Sequence, residues 1–409
     1  MKSEGEIDAA VQPPRRRVLD AALIVLCQST QALAYGGIGL FLPLIRRDIG
    51  FTFTQAGTLA GAMTLVYACM QIPSGYLSDR LGAKRLFITG LVGTNVLAFT
   101  LAQLHQYWLV VANQMLAGFF RSLVFAPGLL LISAVFPKHR RATAMGLYVA
   151  GGFSSNVFLN ALGPFLVGPF GWRVLFMAFS VGGFALLALY WRLGPPGPRG
   201  AGRDQISPRQ ALSLLRMPLM WLVGGIQYIR LAVVTGLAFW LPTIVIDKGY
   251  SLQVAGLMVA LSAALTVPSN FLGGYISDRL GRPLIVIGAS LGVLCMTTLL
   301  LARVDELVAL AGVIALNGFF VQFYFGPLFA VPINVLGPKT AGLASGFGNF
   351  FANVGGFTFA YAMGAVRDAT GSFSDAMYAL SVLCLFGVLL TLGASRTYRP
   401  LTRPGTVPG

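Results

Sequence analysis

The sequence predicts an all-α polytopic membrane protein, with twelve transmembrane helices in two pseudo-symmetric six-helix bundles. Three observations carry that expectation. The chain of 409 residues is 56% hydrophobic and only 10% charged, with a mean hydropathy of +0.76. Its apolar runs repeatedly exceed the ~18–20 residues that cross a bilayer core as a helix. The second half of the chain repeats motifs of the first at a nearly constant offset.

Polar and Gly/Pro breaks divide the apolar runs into spans in order: 18–45, 53–77, 86–104, 107–135, 142–167, 173–192, 218–246, 252–276, 284–302, 306–335, 342–366 and 375–394. A Gly/Pro/Arg-rich stretch separates the sixth from the seventh. The expected organisation is an N-terminal tail (1–17), a first bundle (18–192), a linker (193–217), a second bundle (218–394) and a C-terminal tail (395–409). Residues 1–17 end in Arg15-Arg16-Arg17 and lead into an apolar run too long for a signal-peptide core, so they read as a soluble tail.

Basic residues orient the spans, because cytoplasmic loops accumulate Lys and Arg. With the N-terminus inside, 21 of the 29 Lys and Arg fall in cytoplasmic segments and six in outer loops. Both termini are therefore expected in the cytoplasm of a multi-pass inner-membrane protein. The net charge of +16 is then a consequence of topology and a match to anionic lipid headgroups, and it gives no support for nucleic-acid binding. The remaining two cations, Arg121 and Arg230, lie near the middle of spans.

The repeat is specific. Gly75-Tyr76-Leu77-Ser78-Asp79-Arg80-Leu81-Gly82 returns 199 residues later as Gly274-Tyr275-Ile276-Ser277-Asp278-Arg279-Leu280-Gly281. The same offset pairs Leu42-Pro43 with Leu241-Pro242, and an offset of 200 pairs Gly118-Phe119-Phe120 with Gly318-Phe319-Phe320 and Pro127 with Pro327. Two homologous halves with a midplane site that faces each side in turn is the arrangement such a repeat implies. Within the repeated loop, Asp79 ends a helix whose dipole disfavours an anion, so it requires a cation or another helix N-terminus; Arg80, Arg85 and Arg140 are candidates. Gly75 and Gly82 allow close helix approach and a tight turn. A charge cluster that forms only when the inner ends close would bias the outward-open state.

On these residues the chain resembles the major facilitator superfamily of secondary transporters over essentially its full length. GYLSDRLGAKR (75–85) is similar to that family's cytoplasmic signature between helices 2 and 3, and GYISDRLGRP (274–283) to its degenerate second copy, with Asp278 and Arg279 in the corresponding places. The run from Phe136 to Gly146, followed by Gly171-Trp172-Arg173, resembles the organic-anion and sugar-phosphate-like branches. The resemblance implies the family fold, alternating access and a gating role for the signature residues.

The two midplane arginines point to the cargo. A charge at the bilayer centre costs about 2.5–3.5 kcal/mol on insertion scales. In the repeat, Val321 stands opposite Arg121 and Gln31 opposite Arg230, so each charge occurs in one half only, which pure architecture would not require. Arginine's planar fork suits a carboxylate, phosphate or nitrate. The thirteen acids map to tails, loops or span ends, which leaves a bound anion as the natural counter-charge for both arginines. The alternative is a guanidinium held by backbone carbonyls or a structural acid.

Polar residues at helical spacing suggest a lined cavity: Gln28, Gln31 and Tyr35 on helix 1, Gln227 one turn before Arg230, and Ser262, Thr266 and Asn270 on helix 8. Asn349 and Asn353 on helix 11 and Asn156 and Asn160 on helix 5 repeat the pattern. Tyr324, with a hydroxyl to satisfy, stands out in an otherwise apolar aromatic run. Helix–helix contact is the competing reading of each stripe.

The expected function is secondary or facilitative transport of a small organic anion, a carboxylate foremost, with Arg121 and Arg230 binding it from opposite halves. A proton or counter-anion is the expected coupling partner, and the chain is expected to act as a monomer. His105 and His139 lie at a span end and in a loop, and Asp20 is the one acid near the inner mouth of the pathway. Rival readings are efflux of amphipathic compounds, nitrate or nitrite transport, and an anion receptor that does not carry its ligand. Gly163-Pro164 matches only a fragment of an antiporter motif. No phosphate-binding loop, metal cluster or nucleophile–base pair is present, and Cys27, Cys69, Cys295 and Cys384 are scattered singly, so neither an enzyme nor a cofactor is expected.

Overall fold

A computed structural model describes residues 14–136, 141–195, 197, 217–328, 331 and 341–397. Among them are eleven long helices: α1 (Pro14–Ile49), α2 (Phe53–Leu81), α3 (Ala83–Leu101), α4 (Tyr107–Val135), α5 (Arg141–Leu193), α6 (Pro218–Asp247), α7 (Leu252–Leu280), α8 (Pro283–Leu301), α9 (Leu307–Phe323), α10 (Ala341–Thr370) and α11 (Ser374–Thr397). Helix is the expected choice because, in hydrocarbon, every backbone N–H and C=O must be satisfied within the segment. Eight of the helices are long and apolar enough to cross a membrane; α2, α3 and α10 fall outside that set. Gly and Thr recur along these three helices, as expected of segments that pack on other helices.

The repeat is written into the backbone. Six glycines have positive φ: Gly50 (79°), Gly82 (87°), Gly171 (74°), Gly249 (91°), Gly281 (61°) and Gly371 (76°). They form three pairs at the repeat offsets, 50 with 249, 82 with 281 and 171 with 371, each closing the same kind of turn between helices. One cap is paired in the same way. Thr52 closes a capping box with Gln55 at the start of α2, and its counterpart Ser251 accepts from the Val254 N–H at the start of α7. Glu306 caps α9 by accepting from the Ala309 and Val308 amides at 2.7 and 3.0 Å, and those donors hold its carboxyl below the usual range.

Within α5, the spans expected at 142–167 and 173–192 are two helical arms that meet at Gly171 (φ 74°, ψ 157°), inside the expected gap. One expected boundary differs. The span expected at 306–335 is interrupted at Tyr324 (φ −97°, ψ 8°), and a further helical turn follows at 325–328. Pro327 lacks the N–H that the Phe323 carbonyl would accept one turn back, and a Cβ at Gly273 would collide with that same carbonyl.

The chain forms two compact units. The first comprises Met1–Arg203 with Ala238–Ala264, the second Asp204–Leu237 with Leu265–Gly409, so α6 and α7 are each divided between them. In the first unit α1 runs along α5, and α4 packs on α2 and α3. Near its N-terminal end Ile24, Phe87, Val124, Ile132 and Tyr148 are completely buried in one apolar cluster. At the opposite end Asp48 Oδ2 takes hydrogen bonds from Trp172 Nε1 (3.1 Å) and Arg173 Nε (3.0 Å), while Arg173 Nη1 donates to the carbonyls of Ala102 and Leu104. This clamp ties α1 and the α3–α4 turn to the Gly171 bend. Trp240 stacks on Phe53, and the backbone of Phe239 lies against Gly39. In the second unit α8 packs on α9 and α11, and Gly355 of α10 lies against the backbone of Tyr228.

A Cβ at Gly171 would meet nothing within 4 Å, so substitution there tests conformation without steric overlap. Gly171→Ala is expected to lower stability by about 1–3 kcal/mol, read as a fall in melting temperature in detergent, whereas Gly168→Ala, also in open space but not a positive-φ residue, should leave it unchanged.

Candidate functional site

Each unit brings an arginine and a glutamine into contact, with the two residue types on exchanged helices. In the first unit Arg121 sits on α4 and Gln31 on α1, where Gln31 Nε2 donates to the Arg121 carbonyl at 3.4 Å. The Arg121 guanidinium lies over the Tyr67 ring of α2, 4.9 Å from its centroid. Gln31, Met63, Thr94, Gln114 and Arg121 line a cavity of ≈ 30 Å³, room for about one or two waters and no larger ligand.

In the second unit the arginine is on α6 and the glutamine on α9. Arg230 is 5% exposed. Its Nε donates to Gln227 Oε1 at 2.9 Å, and its Nη1 donates to Gln322 Oε1 at 3.3 Å. The Phe325 ring lies 4.8 Å from Cζ. Tyr324 is completely buried, its hydroxyl has no hydrogen-bond partner, and it lies within the electrostatic reach of Arg230. The break at Tyr324 puts it and Phe325 beside this site together with Gln322.

The electrostatics of Arg230 are incomplete. Withdrawing a guanidinium from water costs several kcal/mol. Two hydrogen bonds from a charged donor to neutral amides return about 1.5–3 kcal/mol each, and no carboxylate among the described residues pairs with it. A guanidinium has five N–H donors; two are engaged here, and Nη2 has no partner among the described residues. The site is positively charged, buried, and has donors left over for an anion.

Of the residues expected to line a cavity, Arg230, Gln227 and Tyr324 lie together. Gln28 accepts a 2.8 Å hydrogen bond from the buried Tyr148 hydroxyl, inside the first unit. Asn270 and Asn353 each donate to the carbonyl one turn back, of Thr266 and Asn349, and Asn270 Oδ1 is buried without a partner. Gly348, beside Asn349, lies against the Gln227 side chain. Gly82 makes the expected turn, while Arg80, Arg85, Asp278 and Arg279 are exposed. The Tyr35 and Asp79 side chains, the packing at Gly75, and Arg140 lie outside the described residues. Gln322 and Tyr67 were not among the expected site residues.

Comparison with known proteins agrees with this architecture. The family model "Major Facilitator Superfamily" matches residues 24–360. The chain belongs to the Major Facilitator Superfamily. It is a multi-pass membrane transporter, and not an enzyme. Relatives include the D-galactonate transporter of Escherichia coli O6:H1, 23% identical over 93% of this chain and 96% of that one. A putative tartrate transporter of Agrobacterium vitis is 26% identical over 88% and 86%. Among solved structures, a bacterial homologue of the human lysosomal transporter Spinster, in an inward-facing and occupied conformation, superposes with a TM-score of 0.83 at 16% identity, over 95% of this chain and 98% of that one. That likeness establishes the superfamily fold.

Gln322→Glu tests the electrostatic reading. It would supply Arg230 with a protein carboxylate at the position of the present amide. The melting temperature should hold or rise, because a charged hydrogen-bonded partner replaces a neutral amide. A clear fall in melting temperature would contradict the reading of Arg230 as a cation left without its counter-charge.

Proposed function

We propose that this transporter carries a small organic anion, a carboxylate or sugar acid, by alternating access, and that Arg121 and Arg230 are its anion-binding cations. The observation that carries the reading is Arg230, a buried guanidinium whose protein partners are two neutral amides and an aromatic face. A guanidinium in that state is poised for a carboxylate, because two parallel charge-assisted hydrogen bonds complete what the amides begin. The names of the relatives, a D-galactonate and a tartrate transporter, support the same substrate class.

In this reading the glutamines orient the arginine and the anion completes its charge. Anion binding is then the step that neutralises the site. Occupancy lowers the cost of moving the charge through the cycle, and an empty site with a bare cation reorients slowly, since a ligand shifts a conformational equilibrium only by its differential affinity for the two states. The signature residues Gly75, Asp79, Arg80, Gly82, Arg85, Arg140, Asp278 and Arg279 serve the gate at the inner ends of the helices, with both termini in the cytoplasm of a bacterial inner membrane.

Counterflow of D-galactonate and tartrate in proteoliposomes is the direct test. Arg230→Gln should reduce it by about 10–100-fold, the loss of one or two hydrogen bonds between ions, and Arg230→Lys should recover only part, since Lys lacks the planar fork. Counterflow that survives Arg230→Gln and Arg121→Gln together sinks the proposal.

A further inference from the structure

A second buried polar site lies in the first unit, at the end that carries the N-terminus of α1. Asp20 is 1% exposed, and its Oδ2 has no hydrogen-bond partner. It sits one turn inside the half-exposed and exposed Arg17 and Arg16 of the same helix. Its helix neighbours Ala21, Leu23 and Ile24 are buried in the apolar cluster that also holds Ala83, Phe87, Leu187 and Tyr190. Tyr190, at the end of α5, is completely buried, and its hydroxyl is likewise without a partner.

The charged and titratable groups around this carboxyl come from three helices. Arg16 on α1 and Lys84 on α3 act on it electrostatically, and Tyr190 of α5 is within reach of both Asp20 and Cys27. Lys84 Nζ is committed elsewhere: it donates to the Gly194 carbonyl at 2.7 Å and stands 5.5 Å from the Tyr190 ring centroid. Cys27 Sγ is directed at the Leu186 carbonyl, 3.8 Å away. A buried carboxylate oxygen without a donor is expensive, and a carboxyl oxygen can be relieved by a proton as well as by a neighbour. Three buried polar atoms without partners, Arg17 Nε, Asp20 Oδ2 and the Tyr190 hydroxyl, thus belong to a small site that the anion reading leaves unused; Arg17, one turn from Asp20, is the cation nearest to it along α1.

We propose that Asp20 is a proton-binding site whose occupancy is coupled to the transport cycle. The proton enters past Arg16 and Arg17 and bonds to Oδ2, converting the carboxylate into a neutral carboxylic acid. Lys84 remains on Gly194, and the local charge rises by one unit. Tyr190 acts as a positioning residue that tunes the site through its unpartnered hydroxyl. The proton binding stands by itself, whereas the coupling rests on the anion-transport reading, and two measurements separate them.

Infrared difference spectra of the purified full-length protein in lipid, recorded as pH is lowered, read the proton directly. Wild type should show the carbonyl stretch of a carboxylic acid that lacks hydrogen-bond donors, and Asp20→Asn should lose it. Lys84→Met should move the midpoint of that band to higher pH, because a cation that favours the carboxylate is gone; this variant also decides the matter if Asp20→Asn does not fold. A band absent from wild type, retained in Asp20→Asn, or unmoved in Lys84→Met overturns the proton site. In proteoliposomes, Asp20→Asn should keep counterflow of D-galactonate or tartrate and lose accumulation driven by a pH gradient. Gradient-driven accumulation equal to wild type overturns the coupling, whereas a wild type that carries neither compound counts against the anion reading and leaves the infrared result standing.

Discussion

A guanidinium removed from water must be met by something, and what meets Arg230 is two glutamine carbonyls and the face of a phenylalanine. These are dipoles. They orient the charge and recover part of its desolvation, and they leave the net charge in place. Around that constraint the second unit is organised: α6 supplies Arg230 and Gln227 one turn apart, α9 supplies Gln322, and the helix break at Tyr324 presents the residues that follow. Had either glutamine been a glutamate, the site would be a closed ion pair with nothing to gain from a ligand.

The internal repeat places one arginine in each half, in different surroundings. Glycine pairs of positive φ and one matched cap, Thr52 with Ser251, recur at the same places in both halves. Helix α1 carries Gln31 where α6 carries Arg230, and α4 carries Arg121 next to Ser122, the counterpart of Gln322. Arginine and glutamine have exchanged helices between the halves. The Arg121 site is less buried, is framed by Tyr67 and bonded through its backbone to Gln31, and borders a cavity of water size. Superfamily membership accounts for the duplicated scaffold.

Much of the fold was legible because its signals are local. Spans starting at 53 and 252 coincide with capped helix starts, and the turn glycines could be paired by offset alone. The site was legible where a helix carries the partner on its own face, as Gln227 does for Arg230. It was not legible where the partner depends on packing between helices. Gln28 shares a face with Gln31, yet Tyr148 from α5 takes it, a contact 120 residues away in sequence. Gln322 reads as one polar residue in an aromatic run until α9 is laid beside α6. The break at Tyr324 follows from Pro327, but Pro127 at the equivalent place lies inside an unbroken α4, so proline alone does not decide it.

The central claim is that Arg230 awaits an anion. A structure of the full-length protein in lipid, with D-galactonate or tartrate bound, tests it most directly. The account predicts a substrate carboxylate within hydrogen-bonding distance of Arg230 Nη2, with Gln227 and Gln322 still holding Nε and Nη1. A substrate whose carboxylates are all held elsewhere, with Arg230 unchanged between its two glutamines, would contradict it.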